Sequence, residues 1–245
     1  MDLSLRQKLY FRTILFMSVT SLYIFNPSLL KHILNFGIGS IKVYHIFWCY
    51  LAYEIILRIV PKLNTHVASG KHLHKHYLPG PPIGEERLKA YTKTFNYGAL
   101  KALSFWIICN IFILTFVRHT PNKISLCFLV FLFYYMCDMW CANVFCIFQA
   151  FFMHNRCCNV CRIYNFDQIM YFTPFLIIPS CYTYSLVLLA FLSACQWEYL
   201  HYKYPERFSS LTNMNLNCAH CKVRRCKKLL KMPHHFINVN NKLDL

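Results

Sequence analysis

The sequence predicts an all-α fold of the multi-pass membrane kind. The expectation is a helical bundle of four to five spans, with one apolar segment re-entrant in one arrangement, and a small cysteine-rich basic tail. Three observations carry it. Of 245 residues, 57% are hydrophobic and only 14% charged, whereas about a quarter of a soluble domain is charged. The apolar residues gather in long runs of the kind that fills helices rather than strands. The charge is lopsided, with 26 Lys and Arg against 9 Asp and Glu, a net +17. So apolar a chain is not disordered. Its length and the placement of its 14 cysteines exclude a small secreted disulfide scaffold.

Five apolar segments follow one another: Tyr10–Phe25, Ile41–Val60, Leu100–Val117, Ile124–Phe152 and Ile169–Trp197. A spanning helix takes roughly 17–25 residues. The first segment is short, stops at Asn26-Pro27-Ser28, and follows Arg6, Lys8 and Arg12. No small-residue cleavage site comes after it, so it reads as an uncleaved anchor. The second carries Lys42, His45, Glu54 and Arg58, and the third is a plain span. The fourth and fifth are longer than one crossing requires, and the fifth holds Pro174 and Pro179.

Lys and Arg in short loops mark the cytoplasmic face. If all five segments cross once, the basic regions 61–101 and 198–245 fall on opposite faces and the bias vanishes. If Ile169–Trp197 enters and leaves on one side, both regions become cytoplasmic, leaving Lys31, Lys42, Arg118 and Lys123 outside. Re-entrant backbone survives at membrane depth only when buried in protein or lining a cavity. A long, kinked and tilted span is the simpler alternative.

Residues 1–197 are therefore expected to form the transmembrane domain and 198–245 the tail. The loop 61–99 includes His72, His74 and His76, which share one side of an extended backbone, and then Pro79-Gly80-Pro81-Pro82. From Gly84-Glu85-Glu86 onward, Leu88, Tyr91 and Phe95 recur at helical spacing among Arg87, Lys89 and Lys93. That pattern predicts a basic amphipathic helix lying on the membrane surface, attracted by anionic lipid headgroups.

Eight cysteines lie in apolar segments and read as small packing residues. The other six form two clusters in polar sequence: Cys157, Cys158 and Cys161, then Cys218, Cys221 and Cys226. Each cluster contains a C-x-x-C pair, and two such pairs supply the four thiolates of a zinc site or an iron–sulfur cluster. Arg156 and Arg162 flank the first, and Lys222, Arg224, Arg225, Lys227 and Lys228 follow the second. Positive neighbours stabilise thiolates. The pairs can share a metal only if they share a face, which the fold-back allows.

Ionisable residues inside apolar segments often mark a functional path. Glu54 and Arg58 are four residues apart and are expected to pair along one helix. Asp138 lies mid-way along the fourth segment, on a stripe with Cys141, Phe145 and Gln149.

The first functional expectation is a multi-pass plasma-membrane protein with a cytoplasmic cysteine-ligated zinc or iron–sulfur centre. Four sulfur ligands leave no open position, so the role is structural or electron transfer. The alternatives are a membrane enzyme using Cys158, Cys161, Asp167 or Glu206 on a lipid-linked or membrane-borne substrate, and a small transporter using Asp138 and Glu54. The expected partners are the bilayer, anionic headgroups and a second membrane protein. Nucleic acid is disfavoured, because the charge is spread over several loops. No Walker loop, Rossmann glycine pattern, H-E-x-x-H or G-x-S-x-G occurs.

Overall fold

A computed structural model describes residues 5–60, 62–63, 70–153 and 166–216. These residues are mostly helical, as composition and periodicity require. The chain divides into two compact units: Met1–Ile59, Ile108–Trp140 and Asp167–Ser193 form the first, and the intervening and C-terminal ranges form the second.

The first unit begins with α1, Leu5–Phe25. The Asn26-Pro27-Ser28 stop is a helix restart: Asn26 caps α2, Pro27–Asn35, accepting from the Leu29 amide at 3.1 Å, with proline in the first turn. A two-residue hairpin follows, β1 Gly37–Ile38 against antiparallel β2 Ile41–Lys42, turned by Gly39 at φ 60°, a conformation natural to glycine. Helix α3 spans Val43–Ile59.

Among the described residues two helices are long and apolar enough to cross a membrane: α4, Glu85–His119, and α5, Lys123–Asn143. Both pass from one unit's range into the other's. Over their most apolar windows only 17% and 33% of residues are buried. On α4, Ile111, Phe112 and Phe116 are exposed, whereas α5 buries Phe131, Leu132 and Tyr135. At 1.5 Å per residue α4 is about 50 Å long, well beyond the roughly 30 Å hydrocarbon layer.

Neither long apolar segment is one continuous helix. The fourth ends its α-helix at Asn143 and resumes as a π-turn at Gln149–Met153, so the stripe through Asp138 stops at Cys141. The fifth is α6, Asp167–Phe172, a 3-10 turn at Thr173–Ile177, and α7, Cys181–Lys203. The interruption falls at Pro179-Ser180, where the missing proline N–H and its restriction of the preceding residue disfavour helix.

The core of the first unit is aromatic. Phe131 of α5 stacks on Phe175 at 4.7 Å, Phe172 at 5.7 Å and Tyr135 at 5.6 Å between centroids. Leu51, Ala52 and Ile55 of α3 and Leu186 and Ala190 of α7 complete it. Polar clips join the helices: Trp48 Nε1 donates to Ser185 Oγ at 2.9 Å, and Tyr134 Oη to Asn110 Oδ1 at 3.0 Å.

The second unit is closed by Asn213, which is fully buried. Its amide donates to the carbonyls of Arg207 (2.8 Å) and Lys71 (3.2 Å), and its Oδ1 accepts from the Asn215 amide at 3.1 Å. Pro79 and Asn213 form a bridge beside it. Of the amphipathic stripe, Tyr91 is buried, bonded to Ser210 Oγ at 3.1 Å, and its ring lies 4.4 Å from that of Phe95, whereas Leu88 and Phe95 are half-buried. His74–His76 form a 3-10 turn rather than an extended strand, and His72 stacks on Phe208 at 4.9 Å. The three imidazoles therefore lack the one-sided alternation an extended backbone would give them.

Candidate functional site: a buried charge network in the first unit

The network starts on α1. Leu9, Arg12, Phe16 and Val19 recur at spacings of three and four residues, which puts them on one helical face. Leu9 is buried, and Phe16 and Val19 pack on the aromatic core, while Tyr10, Phe11, Ile14 and Met17 are exposed. The face that carries Arg12 is thus the inward one, and its side chain is 7% exposed. A buried guanidinium requires carboxylates and acceptors around it. Arg12 Nη1 donates to Asp138 Oδ2 at 2.8 Å and to the Tyr135 carbonyl at 2.9 Å. Nη2 lies 3.7 Å from Glu54 Oε2, and the guanidinium carbon sits 3.4 Å over the Tyr135 ring.

Glu54 is held by phenols. Tyr135 donates to Oε2 at 2.8 Å and Tyr50 to Oε1 at 3.0 Å. One turn along α3, Arg58 makes a two-pronged contact with Asp167, the first residue of α6, with Nη2–Oδ2 at 2.9 Å. Asp167 also accepts from the Gln168 amide at 2.6 Å, a carboxylate at a helix N-terminus where the dipole favours it. Asp138 feels the charges of Asp167 and Arg58 as well as Arg12. The five charged groups therefore form one electrostatic array.

The partners differ from the sequence expectation. Glu54 and Arg58 were expected to pair with each other along α3. Glu54 instead pairs with Arg12 and two tyrosines, and Arg58 with Asp167. Both α3 side chains sit where other helices present partners, and a planar guanidinium meets a facing carboxylate with two parallel bonds. Arg12 was missed as a site residue, and Asp167 was expected as an acid–base group of a membrane enzyme rather than as the partner of Arg58. Arg12 reads as part of the basic flank of the first segment, and Asp167 as part of a polar connector. The available signal was the placement of Arg12 two residues inside an apolar run.

The six clustered cysteines, Cys157, Cys158, Cys161, Cys218, Cys221 and Cys226, lie outside the described residues. Of the eight cysteines in apolar segments, Cys127 and Cys146 are buried, whereas Cys49, Cys181 and Cys195 are exposed, so packing accounts for only some of them. Among the described residues no group of three or more His, Cys, Asp and Glu is arranged to hold a metal. Asp167 belongs to the first unit and Glu206 to the second.

No protein family, curated protein or solved structure matches the chain.

Proposed function

We propose that this chain is a multi-pass plasma-membrane protein whose working part is the charge network of the first unit, which handles a cation or proton on a path through the bilayer. The observation that carries this reading is the concentration of Arg12, Glu54, Arg58, Asp138 and Asp167 inside a unit whose helices expose apolar side chains. Ionisable groups at membrane depth are costly and face one another or a water path. In this reading α4 and α5 cross the bilayer, and the segments broken at Asn143 and Pro179 line its interior. The basic residues of the second unit and of the tail face the cytoplasm and anionic headgroups.

The test is reconstitution into liposomes with internal pH- and cation-sensitive dyes. The wild-type chain should carry a flux that Glu54→Gln with Asp138→Asn abolishes. Equal flux from the wild type and that double variant would sink the reading.

A second reading rests on the two C-x-x-C pairs with basic flanks. Cys158, Cys161, Cys218 and Cys221, with Cys157 and Cys226 in reserve, ligate zinc or an iron–sulfur cluster on the cytoplasmic side, in a structural or electron-transfer role. Elemental analysis and an absorption spectrum of anaerobically purified protein test it. A metal-free chain unaffected by Cys218→Ser and Cys221→Ser would exclude it.

A further inference from the structure

The array holds three carboxylates, Glu54, Asp138 and Asp167, against two arginines, Arg12 and Arg58. Among the described residues the carboxylates outnumber the arginines by one, in a core where Arg12 and Asp138 are 7% and 12% exposed. An uncompensated buried charge is expensive enough that such a group usually neutralises itself or gains a partner.

The hydrogen-bond inventory says which carboxylate that is. Glu54 takes one phenol on each oxygen. Asp167 takes Arg58 on both oxygens and a backbone amide on one. In both, each carboxylate oxygen already accepts a hydrogen bond. Asp138 takes a single side-chain donor, Arg12 on Oδ2, and no described residue donates to its Oδ1. It also has a like charge, Asp167, acting on it. The ionisable groups that act on Asp138 are Arg12 from α1, Arg58 from α3, Cys137 from α5 and Asp167 from α6, with Glu54 and Tyr135 reaching it through their contacts to Arg12. Of the two cations, Arg58 is engaged with Asp167, and Arg12 is shared between Asp138 Oδ2 at 2.8 Å and Glu54 Oε2 at 3.7 Å.

A metal cation is the poorer fit. Hard cations take about six oxygen ligands, the oxygens of Glu54 and Asp167 are committed to donors, and the described residues offer no metal-holding group. A proton needs one lone pair.

We propose that Asp138 is a proton-binding site: Oδ1 takes one proton to give a neutral carboxylic acid. Protonation weakens the hold of Asp138 on Arg12. Arg12 Nη2 then closes its 3.7 Å separation from Glu54 Oε2 toward the ~2.8 Å of a charge-assisted hydrogen bond. Because Arg12 is carried on α1, the proton is read out as a small shift of that helix against α3 and α5. The inference extends the ion-handling reading above by naming the ion and its carrier.

The experiment is infrared difference spectroscopy of the full chain in lipid nanodiscs, titrated from alkaline to mildly acidic buffer. One protonated-carboxyl C=O band should appear. It should shift with ¹³C-labelled aspartate and not with labelled glutamate. It should vanish in Asp138→Asn, which mimics the neutral acid, persist in Asp167→Asn, and change frequency in Asp138→Glu. Circular dichroism checks that each variant is folded, and the labelled wild type still separates aspartate from glutamate if a variant is not. A band that survives Asp138→Asn, a band that follows labelled glutamate, or no band over the pH range in which the chain stays folded would each overturn the proposal. Liposome flux is read separately. A band at Asp138 without flux keeps the proton site and removes transport, and flux without the band does the reverse.

Discussion

Arg12 Nη1 lies 2.8 Å from Asp138 Oδ2 although 126 residues separate them, and both side chains are nearly out of solvent at 7% and 12% exposure. This pair ties the first helix of the chain to α5. Removing one partner from a buried ion pair typically costs about 3–5 kcal/mol, whereas replacing both with apolar groups of similar size can be neutral. Arg12→Ala should therefore be strongly destabilising, and Arg12→Met with Asp138→Leu should recover most of the loss. Unfolding free energies in mixed micelles check this. Simple additivity of Arg12→Met and Asp138→Leu would show that the pair is not coupled.

Tyr135 Oη donates to Glu54 at 2.8 Å from a buried position, while Tyr50 donates from one that is 44% exposed. A hydrogen bond to a charged group contributes about 1.5–3 kcal/mol, and its loss weighs more where water cannot replace it. Tyr135→Phe should fall in that range and Tyr50→Phe well below it, measured by the same unfolding assay. Equal effects would mean that water reaches Glu54 Oε2 as freely as Oε1.

Gly98 on α4 has no room for a side chain. A Cβ there would lie 2.7 Å from the Phe152 carbonyl oxygen and 3.3 Å from Met153 Sδ. Alanine would ordinarily favour a helix over glycine by about 0.5–1 kcal/mol, but forcing an atom into a packed contact costs about 1–3 kcal/mol. The obstruction is backbone and cannot rotate away, so Gly98→Ala should destabilise. Gly84→Ala, which meets nothing within 4 Å, should change stability by less than about 1 kcal/mol. Thermal midpoints of the two variants decide the comparison.

His76 predicts a pH dependence outside the two candidate spans. Its Nε2 is buried with no hydrogen-bond partner among the described residues, and burial, with the neighbouring Lys75 charge, lowers its pKa below the usual value of 6.5. The unfolded chain then binds the proton first, so stability is complete above about pH 6.5 and falls as the pH drops below it. His76→Gln should flatten that part of the profile. An unchanged acid slope between about pH 7 and pH 5, the window in which histidine charges, would assign the loss to other groups.

Part of the site was legible before any tertiary contact was known. Glu54, Arg58 and Asp138 stand out because charged residues are conspicuous in apolar sequence. Pro179 announced the break in the fifth segment, since its missing N–H acts locally. Arg12 did not stand out, because it sits near the edge of an apolar run where a charge is ordinary, and Asp167 stood out only as an acid–base candidate of the polar connector. Tyr135 was hidden for another reason: tyrosine is frequent in this chain, at 17 residues, and nothing in its spacing singles one out. The helix Glu85–His119 was legible as a helix but not in its surroundings. Its stripe of Leu88, Tyr91 and Phe95 marks a face to be covered, but periodicity does not say whether lipid or protein covers it.

The sequence by itself determined what short-range physics controls. It set the helical class, the five apolar segments, the stop of the first at Asn26-Pro27-Ser28, the prolines that interrupt the fifth, and the presence of carboxylates in apolar runs. The tertiary structure decided which charges meet. Ion pairing depends on which helix faces bring side chains within about 4 Å, and residues 126 apart, like Arg12 and Asp138, have no local signal that they will be neighbours. It also decided the balance of three acids against two arginines. That imbalance is a property of the assembled core, and it makes Asp138, rather than Glu54 or Asp167, the carboxylate left with a single donor.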